Sequence, residues 1–325
     1  MYNFIKKHKL IVVLLTPIYI MVIYLSFNKT DMGIITPGGI TKMSDKVVIL
    51  NDYETSGDLN TVYVHSIKKP STIFLEFAKL FKYNDIYSLS ENENLLSNKE
   101  LDEVSAISYK TGLVNSIISA YRESNQEITY HLDGVYVYYL YKNMAKTNLE
   151  IGDKIVLVNG ESFLSLEDFN NIIENSLNED VLQLTLEDGT IKKAYSNNGK
   201  YYFTITANYQ IDNSDIPYEI IKATGSGNSG GLLQALSMYI SLTEEDITKG
   251  RKIAGTGAIS IDGEALEIGG IKQKVVSASN NNCDIFICPS VHYEEALEMQ
   301  EYINSDMKIV GVDNLKAAIT YLRNN

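Results

Sequence analysis

The chain begins with an apolar run near its N-terminus, and in the long region that follows hydrophobic and polar residues are interspersed. Leu10 to Phe27 is an 18-residue run without a charge, and at 1.5 Å per residue it spans about 27 Å, near the thickness of a bilayer's hydrocarbon core. It predicts an uncleaved transmembrane helix over 10–27, in which Pro17 is tolerated. A cleaved signal peptide is the alternative, but its apolar part typically has about 7–15 residues and ends at a small-x-small site, which this run lacks.

The charges around this run predict its orientation. The preceding segment, 1–9, is basic and carries no acid: its lysines are Lys6, Lys7 and Lys9. By the positive-inside rule, 1–9 is a cytoplasmic tail and the body lies outside the cytoplasm. Residues 28–45 contain Pro37-Gly38-Gly39 and predict a stalk.

The next segment, 46–128, shows short periodic elements. The β-branched runs at 47–50 and 61–64 predict two strands that pair with each other. Apolar spacing predicts helices at 74–81 and 113–121, and the polar stretch 84–103 predicts irregular structure.

The next segment has the residue pattern of a small domain rich in β-strands. Residues 149–160 read Leu-Glu-Ile-Gly-Asp-Lys-Ile-Val-Leu-Val-Asn-Gly. Gly152-Asp153 predicts a turn into a strand at 155–158, and Asn159-Gly160 predicts a hairpin turn. An amphipathic helix follows, with one apolar face formed by Leu166, Phe169, Ile172 and Ile173.

This stretch resembles the Leu-x-x-Gly-Asp-x-Ile-x-x-Ile/Val-Asn-Gly signature of PDZ domains, and the resemblance implies a PDZ domain over 129–205. In that family a peptide adds as a strand beside a helix, and backbone amides hold its C-terminal carboxylate. The resemblance implies a carboxylate-binding loop formed by Gly134, Val135, Tyr136 and Val137. That loop lacks the family's commoner Gly-Phe-type ending.

The richest cluster of small residues is the loop 225–231, Gly-Ser-Gly-Asn-Ser-Gly-Gly, which opens onto a predicted helix from Leu232. Glycines beside Ser229 let a substrate backbone approach, and free amides at the positive end of a helix dipole stabilise an oxyanion. A phosphate-binding loop or a plain helix cap is the alternative. No Gly-Lys-Ser/Thr follows, so we expect no use of ATP.

A serine nucleophile needs a base, and three arrangements could supply one. A trypsin-fold protease would use His65, but in such proteases the serine opens onto a strand and the PDZ domain follows it. An α/β-hydrolase fits the Gly-x-Ser-x-Gly spacing and would use His292. A lysine base requires burial to lower its pKa from about 10.4. Helical geometry alone does not choose between Lys272 and Lys274.

The third arrangement resembles the proteolytic domain of Lon-type serine proteases. Residues 266–278 read Leu-Glu-Ile-Gly-Gly-Ile-Lys-Gln-Lys-Val-Val-Ser-Ala, similar to the family's Gly-Gly-hydrophobic-Lys-x-Lys helix start. The loop 225–231 contains Gly-Asn-Ser-Gly-Gly, similar to the family's Gly-Pro-Ser-Ala-Gly. The resemblance implies that Ser229 is the nucleophile and Lys274 the general base, with Lys272 a solvated surface residue.

Supporting roles follow from the same resemblance. Thr256 matches a threonine that hydrogen-bonds near the dyad, and Gly227, Asn228 and Gly230 surround the nucleophile. Asn228 and Gly230 stand where the family has proline and alanine, and Ser226 stands where many Lon domains carry an acid. The dyad chemistry survives these differences, but the family's specificity is not carried over.

Composition narrows the function further. The chain has 325 residues, 45% of them hydrophobic and 21% charged, which predicts about two globular domains. Residues 1–30 hold four basic residues and no acid, whereas the rest holds 24 basic and 41 acidic residues. An acidic body argues against a nucleic-acid partner. Its charge is explained by solubility, and a mild attraction of cationic peptides is the alternative.

The two cysteines predict neither a disulfide nor a zinc site. Cys283 and Cys288 flank a strand-like run that separates their Cα atoms by about 16 Å, beyond the roughly 7 Å limit for a disulfide. Two cysteines and four scattered histidines do not complete a structural zinc site. We therefore expect no metal or other cofactor, and thiols that pack in the core.

Together these features predict an α+β protein: a single transmembrane helix, a PDZ domain and a Lon-type proteolytic domain over 206–325, whose fold 46–128 completes. The combination resembles PDZ-containing Lon-like peptidases on the outer face of Gram-positive membranes, which implies substrates such as secreted signalling peptides (pheromones) or membrane proteins. A catalytically silent PDZ scaffold is the alternative from another class. Oligomers are common among Lon domains, but the sequence shows no signature of one.

Overall fold

A computed structural model describes residues 8–51, 53–222 and 225–325; Lys6 and Lys7 of the predicted cytoplasmic tail lie outside these ranges. The helices are α1 (Lys9–Phe27), α2 (Thr72–Ala78), α3 (Glu91–Leu95), α4 (Asn98–Glu123), α5 (Leu166–Asn175), α6 (Gly231–Thr243), α7 (Ile271–Asn280), α8 (Tyr293–Tyr302) and α9 (Leu315–Asn324). The strands to β9 are β1 (Met32–Lys42), β2 (Val47–Ile49), β3 (Asp58–Lys68), β4 (Asp85–Ser88), β5 (Ile128–Leu140), β6 (Lys146–Thr147), β7 (Lys154–Val158), β8 (Glu161–Ser162) and β9 (Val181–Leu186). The remaining strands are β10 (Ile191–Tyr195), β11 (Phe203–Ser214), β12 (Tyr218–Ile220), β13 (Lys252–Gly255), β14 (Ala258–Ile259), β15 (Ala265–Leu266), β16 (Ile285–Pro289) and β17 (Lys308–Val312).

The first sheet is mixed and joins distant parts of the chain. Its order is β17-β16-β13-β3-β1-β4. The strands β3, β13, β16 and β17 are parallel, whereas β1 is antiparallel to both β3 and β4. Because β13 lies between β3 and β16, the N-terminal and C-terminal parts of the chain share one sheet.

Helices cover both faces of the first sheet. Ile285 and Ile287 of β16 pack with α4, α6 and α9, whereas Phe286 and Cys288 pack with α7 and α8. Successive residues of a strand point to opposite faces, so a strand buried on both sides has a continuous apolar run. The two cysteines are free and buried, which confirms that they pack in the core without a disulfide.

The second sheet is antiparallel and comes from one continuous segment. Its order is β11-β5-β7-β9-β10-β6, with β8 paired to β7, and Phe169 of α5 packs into its core. Asn159 and Gly160 both have positive φ between β7 and β8, so the predicted hairpin turn is confirmed. The two ends of this segment lie next to each other, since the Asp215 amide, just after β11, donates to the Glu127 carbonyl, just before β5, at 3.1 Å.

Several predictions for the N-terminal third are wrong. The predicted stalk at 28–45 contains β1, a strand that pairs with β3 and β4 and has a bulge between Pro37 and Gly39. The predicted strands at 47–50 and 61–64 do not pair with each other: β2 pairs with β12, and β3 pairs with β1 and β13. The stretch 84–103 is regular, because β4, α3 and the start of α4 lie there.

Two predictions within the second sheet also need correction. The residues assigned to a carboxylate-binding loop, Gly134, Val135, Tyr136 and Val137, lie inside β5, where β11 and β7 pair on either side. Val135 and Val137 are fully buried, so these residues form the interior of the sheet. The predicted domain boundary at 205/206 falls inside β11, which pairs with β5 along its length.

The N-terminal helix α1 stands apart from both sheets. None of its side chains is buried, and its length and apolar composition fit either a membrane span or a signal sequence.

Candidate active site

The loop that carries Ser229 leads directly into α6. Ser229 is half-buried, and α6 begins at Gly231. The loop is held from α4: the Gly227 amide donates to the Ser105 carbonyl at 2.9 Å, and the Ser105 and Ser226 hydroxyls share a hydrogen bond of 2.6 Å. A rigid element therefore positions the loop at the positive end of a helix dipole.

Backbone geometry leaves donors free beside Ser229. Among the described residues, the amides of Asn228, Ser229 and Gly230 have no hydrogen-bond acceptor. Gly227 has φ +70°, a left-handed conformation that favours glycine. Consecutive free amides at a helix N-terminus stabilise a developing oxyanion.

Thr256 connects the loop to the lysine. Its side chain is fully buried, and its hydroxyl donates to the Ser229 carbonyl at 3.0 Å. The same oxygen accepts a hydrogen bond from Lys274 Nζ at 3.0 Å. The Gly257 amide also donates to the Ser229 carbonyl, at 2.7 Å. The end of β13 thus holds the backbone of Ser229 from one side and the lysine from the other.

Lys274 is buried, and no acid of the described part of the chain pairs with it. It lies in α7 with 3% of its surface exposed, and Thr256 Oγ1 is the one hydrogen-bond partner of its Nζ among the described residues. Burial lowers the pKa of Lys274 to about 7, because an ammonium loses its hydration in a low-dielectric environment. Near neutral pH much of this amine is therefore unprotonated and able to accept a proton.

The structure separates the two lysine candidates that helical geometry left open. Lys272 is exposed, whereas Lys274, two residues later, faces the sheet. The Ser229 hydroxyl makes no hydrogen bond to a described residue, and contacts between a nucleophile and its base are often long in free enzymes.

Neither histidine alternative finds support. His292 Nε2 accepts a hydrogen bond from the Ile268 amide at 3.0 Å, so its lone pair is occupied. His65 is exposed and packs edge-on against the Tyr63 ring. Ser229 opens onto a helix and the first sheet is largely parallel, unlike the arrangement expected for a trypsin fold.

Sequence reasoning missed a second lysine beside the loop. Lys46 Nζ lies 3.1 Å from the position that a Cβ on Gly230 would occupy, and no described acid pairs with it. Burial, with a smaller contribution from Lys222, lowers the pKa of Lys46 to about 8. Nothing local marks Lys46, since 184 residues separate it from Gly230.

Gly112 in the middle of α4 is a second missed contributor. A Cβ there would approach the Asn228 Cβ to 2.7 Å, so glycine lets α4 pack against the loop. A glycine inside a helix often marks such a close approach, and this signal was available in the sequence. Among the described residues, no group of three His, Cys, Asp or Glu side chains could hold a metal ion.

Part of the chain is similar to a known protease domain. Residues 213–323 match the Lon protease (S16) C-terminal proteolytic domain. The match contains Ser229, Thr256 and Lys274, and it supports a serine peptidase.

Curated relatives of the chain are Lon proteases. One from Clostridioides difficile (strain 630) is 27% identical over 191 residues, which cover 54% of this chain and 24% of the relative. A peroxisomal Lon protease homolog 2 from Caenorhabditis briggsae is 36% identical over 107 residues, 32% of this chain and 13% of the relative. One from Aster yellows witches'-broom phytoplasma (strain AYWB) is 29% identical over 89 residues, 27% and 11%. The chain thus spans between 11% and 24% of the length of these relatives.

Proposed function

We propose that this protein is a membrane-anchored, ATP-independent serine endopeptidase, with Ser229 as nucleophile and Lys274 as general base. One observation carries the proposal: a buried lysine, which pairs with no acid among the described residues, is hydrogen-bonded through Thr256 to the loop of Ser229. The match to the Lon proteolytic domain supports the same reaction class. In the proposed topology, α1 spans the membrane with the N-terminus in the cytoplasm and the body outside.

The reaction is peptide-bond hydrolysis in two steps. The neutral amine of Lys274 takes the proton of Ser229 Oγ as this oxygen attacks the carbonyl carbon, and loop amides hold the oxyanion. The Lys274 ammonium then gives its proton to the leaving amine, and an acyl-enzyme remains. Water, deprotonated by Lys274, attacks the ester, which releases the acid and restores the Ser229 hydroxyl.

The test is a set of matched substitutions. Ser229→Ala and Lys274→Ala should each abolish cleavage of an unfolded protein substrate, while Lys272→Ala should leave it unchanged. A fluorophosphonate probe should label the native chain at Ser229. Full activity in Lys274→Ala contradicts the assignment of the base, and failure of the labelling favours the silent scaffold.

We further propose that the second sheet is a PDZ-like module that presents secreted peptides or membrane proteins to the site. Its supports are the sequence signature at 149–160, the helix α5 packed on the sheet, and two outer strands, β6 and β11, that are paired on one side only. Comparing the peptides released by cells with native chain and with Ser229→Ala identifies the substrates. Identical peptide pools from the two contradict peptide processing.

We propose that the protease fold is formed by the chain segments that precede and follow the second sheet in the sequence. β13 pairs with β3 on one side and β16 on the other, so a chain that begins at residue 206 loses the half of the first sheet formed by β3, β1 and β4 and exposes an edge of β13. Such a chain should show no cooperative unfolding transition and no cleavage. Folding and cleavage by that fragment would contradict the inserted arrangement.

A further inference from the structure

Helix α2 has one buried and one exposed apolar face. Leu75 and Ala78 are buried and pack with Ile34 of β1, so the helix is fixed to the first sheet. Large apolar side chains on the other side of α2 and in the turn that follows it have exposed fractions of 42%, 56%, 77% and 52%: Phe74 and Phe77 in the helix, and Leu80 and Phe81 just after its end at Ala78. We name these four residues the α2 apolar face. A contiguous apolar patch on a folded surface marks an interaction site.

The α2 apolar face lies directly beside the end of α1. The Thr72 amide donates to the Asn28 carbonyl at 2.9 Å, and Asn28 Nδ2 donates to Thr72 Oγ1 at 3.2 Å. The Thr30 amide donates to the Pro70 carbonyl at 3.0 Å. These bonds join the first residues after α1 to the first turn of α2. The two helices therefore keep a fixed relative position.

This position sets the depth of the α2 apolar face in a bilayer. A helix that crosses the hydrocarbon core, as proposed for α1, ends near the boundary between acyl chains and headgroups, and the headgroup layer is about 5–8 Å thick on each side. The seven residues of α2 span about 10 Å. Because α2 is short and begins beside the end of α1, its residues lie in or near that layer, where aromatic rings are favoured.

The charges beside the face fit the same environment. Lys79 and Lys82 flank Leu80 and Phe81, and long lysine side chains reach from an apolar boundary to water. Lys79 pairs with Glu76 at 2.6 Å, and Lys82 lies 4.5 Å from the Tyr302 ring. The apolar and cationic groups therefore alternate as they do in helices that lie in a membrane interface.

We propose that the α2 apolar face inserts into the outer headgroup–acyl boundary of the bilayer that α1 crosses, and so holds the catalytic body against the membrane at a second point. The inference rests on the membrane anchoring proposed above. It restricts the orientation of the first sheet, since β3 ends at Lys68, four residues before α2 begins at Thr72.

The test uses the absence of tryptophan from the chain. Phe77→Trp in the full chain places a single fluorophore on the α2 apolar face. Leu50→Trp is the matched control: Leu50 is 52% exposed, against 56% for Phe77, and follows β2, which the chain reaches from the far end of β1. Both variants are reconstituted in phosphatidylcholine–phosphatidylglycerol vesicles with acyl chains brominated near the headgroup, and flotation and unfolding temperature are measured alongside.

The expected result is quenching of Phe77→Trp fluorescence by about twofold or more, with no change for Leu50→Trp. If the chain floats with the vesicles and Phe77→Trp is not quenched, the lipid contact is wrong while the anchor stands. Blue-shifted but unquenched emission shows that another protein copy covers the face, which also overturns the proposal. A chain that does not float defeats the anchor and this inference together.

Discussion

Each of the two sheet regions contains a buried lysine, and the two differ in their partners. Lys154 in the second sheet is 8% exposed and binds Asp133 at 2.5 Å and Glu187 at 2.8 Å. Lys274 beside the first sheet is 3% exposed and binds only the neutral hydroxyl of Thr256 among the described residues. Similar burial thus comes with opposite electrostatic surroundings.

The difference shows what distinguishes a structural lysine from a candidate base. Burial acts to lower the pKa of Lys154, but its bonds to Asp133 and Glu187 outweigh it, so the pKa is raised. At Lys274 burial acts alone and brings the pKa to about 7. A lysine that stays charged holds a fold together, whereas one that loses its proton near neutral pH can take part in acid–base chemistry.

The largest effect on peptide cleavage is expected from replacing Lys274. Lys274→Met should reduce peptide cleavage by at least about 10³-fold, because it removes the proposed general base. The same change should raise the unfolding temperature, since an apolar side chain replaces a poorly solvated amine. Steady-state kinetics and calorimetry measure the two effects. A Lys274→Met protein that is both inactive and destabilised would indicate a structural lysine like Lys154.

A smaller loss is expected at Thr256. Thr256→Val keeps the shape but removes hydrogen bonds to Lys274 and the Ser229 carbonyl, each worth about 1–3 kcal/mol when buried, so kcat should fall about 10–100-fold. Thr256→Ser should restore most of it. Because the ammonium loses an acceptor in Thr256→Val, the acid limb of the pH profile should also move to lower pH. An unmoved limb would assign Thr256 a purely structural role.

The pH dependence follows from the pKa of about 7 at Lys274. Since the base must be neutral, kcat/KM should fall about tenfold per pH unit below pH 7 and level off above it. Lys46, whose pKa is about 8, is the competing base, so the profile is repeated with Lys46→Met. If Lys274 is the base, the limb near pH 7 persists in that variant. Loss of the limb near pH 7 in Lys46→Met would identify Lys46 as the base.

Stability should follow pH in the same window. The pKa of Lys274 is lowered from 10.5 in the unfolded chain to about 7 in the folded one. Between these values the unfolded chain holds a proton that the folded chain lacks, so the free energy of unfolding rises with pH. Lys274→Met should flatten that rise in urea titrations between pH 7 and 10. An unchanged slope would show that Lys274 is solvated in the folded protein.

Local sequence patterns predicted the structural features that are formed by residues close together in the chain. The glycine-rich loop opens onto α6, and the Asn159-Gly160 turn joins β7 to β8, as predicted. Each of these features depends on residues a few positions apart.

Contacts between distant segments escaped prediction. Pro37-Gly38-Gly39 suggested a stalk, because the strand character of β1 comes from pairing with β3 and β4 rather than from its own residues. The Gly38 amide donates to the Ser277 hydroxyl of α7 at 2.9 Å, a contact across 239 residues. Lys46 likewise lies beside the loop of Ser229, far from it in the sequence. Local propensity carries no information about such pairs.

The smallest effect on catalysis is expected from the paired lysine. Lys154→Met should leave kcat on a short peptide within about twofold of native, because the residue lies in the second sheet. It should lower the free energy of unfolding by about 1–3 kcal/mol, since Asp133 and Glu187 lose a buried partner. Asp133→Asn, which keeps a hydrogen-bonding group, should lower it less. A loss of kcat equal to that of Lys274→Met would mean that partner charges do not separate the two lysines, and the contrast between the regions would fail.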